Sequence, residues 1–83
     1  MAKYGRLEIE IKKELVSRGE PAWEIVIWHM FPTIDGKGEH GNGSVVVPRF
    51  EHRMTAKWVA ERMHDAYIMD GWDVSWKKRE RRQ

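Results

Sequence analysis

The segment from Met54 to Trp76 constrains the chain more than any other, because it joins a helical period, a stop signal and a strand period. Ala56, Val59, Ala60, Met63, Ala66 and Tyr67 recur at three- and four-residue steps and so share one helical face. Lys57, Glu61, His64 and Asp65 fall on the other side, with Lys57 and Glu61 spaced as an i,i+4 ion pair. Thr55 has the hydroxyl of an N-cap, and Gly71 suits the left-handed position after a helix end. The spacing predicts a helix over Thr55 to Asp70. Its alanines make a flat stripe that can lie close on a sheet, with Trp58 and Met69 beside it, placed to reach the sheet's edge. After Gly71, the residues Trp72, Val74 and Trp76 alternate with Asp73, Ser75 and Lys77, the period of a strand.

What precedes this segment reads as the sheet it covers. Arg6 to Lys12 alternates, with Leu7, Ile9 and Ile11 on one side and Glu8, Glu10 and Lys12 on the other. Leu15 keeps that phase and Val16 breaks it, so the strand can extend to Val16 with a bulge. Ser17 to Pro21 is a turn. Trp23 to Phe31 is apolar on both sides, with Trp23, Ile25 and Ile27 in one row and Val26, Trp28 and Met30 in the other. Such a strand is central in its sheet. One helix covers only one row, so the second row needs another cover or a partner. Pro32 to Ser44 holds Gly36, Gly38, Gly41 and Gly43 and reads as a long loop. Val45 to Val47 is a short strand, and Pro48 places it at an edge or ends it.

The predicted fold is therefore α+β: one small domain of order β-β-β-α-β, with a four-stranded mixed sheet and one helix packed on one face. The first three strands form an antiparallel meander. The fourth lies parallel to its neighbour, which is either the third strand, through a right-handed crossover, or the first. Residues 1–76 make the domain and residues 77–83 a basic, flexible C-terminal tail.

At 83 residues the chain supports one small core. Without cysteine it forms neither disulfides nor thiolate metal sites. No apolar run approaches the about 20 residues that cross a bilayer, and Met1 to Arg6 lacks the apolar stretch of a signal peptide. The expectation is a cytoplasmic protein. The net charge of +2 is uneven. The tail carries five basic residues against one acid, +4, and the remainder ten against twelve, −2.

Motifs for chemistry are weak. Gly36-Lys-Gly-Glu-His-Gly41 matches G-x-G-x-x-G, but it lies between strands with no helix after it, and so reads as a plain loop. His29, His40, His52 and His64 lack the short pairing typical of zinc ligands. Ser17, Ser44 and Ser75 sit in no nucleophile elbow. The chain is read as no enzyme, with no metal, catalytic residue or cofactor.

Trp58-Val-Ala-Glu-Arg-Met-His-Asp-Ala-Tyr67 followed by Asp70-Gly-Trp72 resembles stretches in small uncharacterised bacteriophage proteins, as does the short, tryptophan-rich chain with its basic tail. The resemblance implies an accessory protein that binds a macromolecule, and transfers no functional residues.

The expected function is a non-catalytic binding module, acting through protein–protein contacts of an exposed row of Val26, Trp28 and Met30, with a second copy among the candidate partners. The alternative is nucleic-acid binding through Lys37, Trp76, Lys77, Lys78, Arg79, Arg81 and Arg82. In that reading the basic tail contacts phosphate and the strand tryptophans stack on bases.

Overall fold

A computed structural model describes residues 5–15 and 21–77, excluding the side chain of Leu15. The elements are β1 (Arg6–Leu15), β2 (Pro21–Pro32), β3 (Glu39–Phe50), α1 (Arg53–Asp70) and β4 (Asp73–Trp76). The four strands form one sheet in the order β3-β2-β1-β4. β1, β2 and β3 are antiparallel neighbours, and β4 runs parallel to β1, with Arg6 opposite Asp73 and Ile9 opposite Trp76. The α+β fold, its element order and its mixed four-stranded sheet are those predicted. Of the two placements for β4, the chain uses the one beside β1. Among the described residues, no helix is long and apolar enough to cross a membrane.

Period-two alternation in β1 and β2 sends Leu7, Ile9, Ile25 and Ile27 to one face, where they are buried with Ala56 and Ala60 of α1. Val59, Met63, Tyr67, Trp72 and Val74 pack against that cluster. The two alanines have no exposed surface, so α1 sits close on the sheet, as the small-residue stripe predicts. Ala66 departs from the predicted face and is exposed. Trp58 and Met69 do not reach the sheet's edge: both project into solvent, Trp58 with 60% of its surface free.

The helix ends differ in kind. Gly71 takes φ 109°, and the N–H groups of Gly71 and Trp72 donate to the carbonyls of Ile68 and Tyr67. That glycine stop was predicted; Trp72, expected in the last strand, instead closes the helix. At the other end the N-cap is His52 and not Thr55, which lies inside the helix, and no side chain caps it.

The predicted loop from Pro32 to Ser44 is mostly strand. β3 starts at Glu39, and the connection is a compact turn. Thr33 N–H donates to the Gly38 carbonyl at 2.9 Å, and Gly36 adopts φ 72°. Gly41 and Gly43 stand in β3 opposite Met30 and Trp28. Their lack of a side chain serves packing against β2. Of the turn expected over Ser17 to Pro21, Pro21 is the first residue of β2, and Ser17 to Glu20, with Val16 before them, lie outside the described residues.

Candidate functional site

No described helix covers the sheet face away from α1. By alternation it displays the even-numbered residues of β1 and β2, the odd-numbered residues of β3 up to Val45, and Asp73, Ser75 and Lys77. Val26, Trp28 and Met30 share this face as expected. Their exposure differs from the expectation of an open row. Val26, between Glu10 of β1 and Val45 of β3, is only 5% exposed, whereas Trp28 and Met30 are half-buried.

Trp28 is held in place by three neighbours. A Cβ added at Gly43 would come within 2.9 Å of three indole carbons, so the ring lies flat against that backbone. A Cβ at Gly41 would meet the Met30 sulfur at 2.7 Å. The Trp28 Nε1–H donates to Glu10 Oε1 at 3.0 Å, and Lys77 Nζ stands 4.6 Å from the ring centroid, within cation–π range. The pairing of a glycine with a facing tryptophan appears only once the β2–β3 register is known.

Arg6 ties this face together from β1. Its Nε donates to both carboxylate oxygens of Glu39 in β3 at 3.0 and 2.9 Å, its Nη1 to Ser75 Oγ in β4 at 2.8 Å, and its Nη2 to Glu8 at 2.6 Å. The guanidinium holds the Glu39 carboxyl below the usual carboxylate range. With Arg6 committed to Glu39 and Glu8, the described remainder of the face holds four acids against three cations. Glu14 and Glu24 are neighbours, and hydrogen bonding with Glu14 raises the Glu24 carboxyl above its ordinary range, Lys12 and Arg49 offsetting part of the effect. Glu10 and Asp73 add to the acids; among the described residues, Lys12, Lys77 and Arg49 are the cations left. Sequence alternation alone could have placed the acids of β1 on this face, but not Glu24 beside Glu14.

The described members of the nucleic-acid set, Lys37, Trp76 and Lys77, are not brought together. Trp76 pairs with Ile9, so it lies on the helix side, opposite to Trp28, and stacks on His64 with centroids 5.2 Å apart and planes 5° apart. Lys37 is in the turn before β3, its backbone N–H donating to Asp35 Oδ1. Lys77 alone of the described set sits on the open face. Lys78, Arg79, Arg81 and Arg82 lie outside the described residues. The histidines are dispersed: His29 edges onto Trp72, His40 lies by Phe31, and His64 contacts Asp65. Compared with family models, curated proteins and solved structures, the chain matches none.

Proposed function

We propose that this chain is a non-catalytic binding module whose open sheet face docks a basic segment of another protein. The accessory role implied by the bacteriophage resemblance belongs to the same proposal. The observation that carries it is the crowded Glu14 and Glu24 pair on the sheet face that no described helix covers, the face that also holds Trp28. A guanidinium or ammonium arriving there relieves the crowding of Glu14 and Glu24. Electrostatic complementarity of this kind sets specificity and encounter rate. A phosphate backbone meets the same carboxylates with repulsion, and Lys77 already occupies the approach to the Trp28 ring, so protein is favoured over nucleic acid.

The test is fluorescence anisotropy with a labelled oligo-arginine peptide and with labelled single- and double-stranded oligonucleotides, each at two salt concentrations. The peptide is expected to bind, to weaken as salt rises, and to weaken several-fold again with Glu14→Gln plus Glu24→Gln. Binding of the oligonucleotides instead, or of neither probe, overturns the proposal.

A further inference from the structure

We propose that the cleft between the start of α1 and the end of β4 binds a small aromatic carboxylic acid. The inference does not rest on the open-face reading, since the cleft lies on the helix side of the sheet and takes a ligand of opposite charge. Its origin is the shortness of β4. That strand ends at Trp76, opposite Ile9, while β1 runs on to Leu15, and no other described strand pairs with β1 on that side. A cavity of about 360 Å³ is left beside Ile9 and Ile11, bordered by Trp23, Arg53 and Trp76. A second, of about 280 Å³, shares Ile11, Arg53 and Trp76 and reaches Lys57 and Glu61, one and two turns further along α1. Ligand pockets begin at about 300 Å³, so the first cavity alone admits one or two fused rings.

The walls are aromatic and aliphatic. Trp23 continues the inward row of Ile25 and Ile27, and Trp76 that of Val74, so both indoles lie on the helix side. Ile11 stands between them on β1, midway from Ile9, opposite Trp76, to Lys13, opposite Trp23. His64 stacks on one face of Trp76 and holds the ring in place, yet 40% of that tryptophan's surface stays free. A flat ring entering the cleft gains from stacking on indole as well as from burial.

Charge selects the other end of the ligand. Among the described residues the ion pairs are Arg6 with Glu8, Arg6 with Glu39 and His64 with Asp65, so neither Arg53 nor Lys57 is tied to a carboxylate. The Arg53 guanidinium lies 5.9 Å from the Trp23 ring centroid, beside the space a bound ring would fill. Glu10 and Lys77 also border the cavity, but their charged ends sit on the open face at Trp28. Arg53 and Lys57 against Glu61 leave one positive charge in the cleft. That balance suits a single carboxylate better than a dianionic phosphate ester, and the guanidinium fork can grip both carboxylate oxygens.

The test is an NMR titration of the full chain with naphthoate, read at the tryptophan indole N–H signals. Those of Trp23 and Trp76 are expected to shift together and to saturate, while that of Trp28, held by Glu10 on the other face, stays in place. Naphthalenemethanol keeps the rings without the charge, and cyclohexanecarboxylate keeps the charge without the flat ring. Each is expected to bind several-fold more weakly than naphthoate. Arg53 is exposed, so Arg53→Gln should leave the circular dichroism spectrum unchanged and weaken naphthoate roughly tenfold, the scale of one lost hydrogen bond to a charged group. Glu14→Gln plus Glu24→Gln, which alters only the open face, should leave naphthoate binding as it is. The proposal is overturned if millimolar naphthoate moves neither signal, if Trp28 moves in step with them, if either control binds as tightly as naphthoate, or if Arg53→Gln has no effect.

Discussion

At Gly43 a hydrogen stands where other residues carry a carbon, and Trp28 occupies the space. Gly43→Ala forces the ring off its seat and strains its bond to Glu10. The expected cost is about 1–3 kcal/mol, the range for overpacking, checked by urea denaturation. Glu14→Gln acts in the opposite sense. Glu24 titrates higher in the folded chain than in the unfolded one, so its repulsion from Glu14 weakens folding at neutral pH and fades as pH falls toward the ordinary carboxylate range. The variant should therefore melt higher than the parent at neutral pH, and the gap should close on acidification. That Val26, Trp28 and Met30 share a face is legible from alternation. The near-complete burial of Val26 is not, because it depends on which residues of β1 and β3 stand beside it.

Among the elements, α1 shows how much a local signal can carry. The left-handed glycine, the Ala56 and Ala60 pair and the alternation from Asp73 to Trp76 are all local, and each predicts its feature, while Ala66 and Trp72 depart from theirs. Its N-terminus has a weaker signal, since the N-cap is His52 without a side-chain bond. His52→Asp supplies an acceptor for the free N–H groups and a negative charge at the positive end of the helix. It should stabilise the chain by about 1 kcal/mol, read from the thermal midpoint. β3 shows the opposite case. Its first half, rich in glycine, reads as loop because glycine is poor in strands taken alone. Only the bulk of Trp28 and Met30 across the ladder makes glycine the fitting residue there.

For the whole molecule, strand order was the least legible property. Placing β4 beside β1 or beside β3 gives a parallel pair either way, and local pattern does not separate the two. The core is correspondingly small: Leu7, Ile9, Ile25 and Ile27 supply most of its bulk. Ile27→Ala should cost about 2–5 kcal/mol, a large part of what a domain this size possesses, and circular dichroism should find the variant partly unfolded at ambient temperature.

Of the described strands β1 is made before the others and β4 after them, so the parallel pairing of Arg6 with Asp73 joins the two ends of the described structure. Until then a nascent chain leaves one border of its oldest strand bare, while the meander of β1, β2 and β3 is free to assemble from near neighbours. Among the four strands, the β1–β4 pairing is therefore the most non-local contact of the sheet, the kind that forms more slowly than the meander of near neighbours.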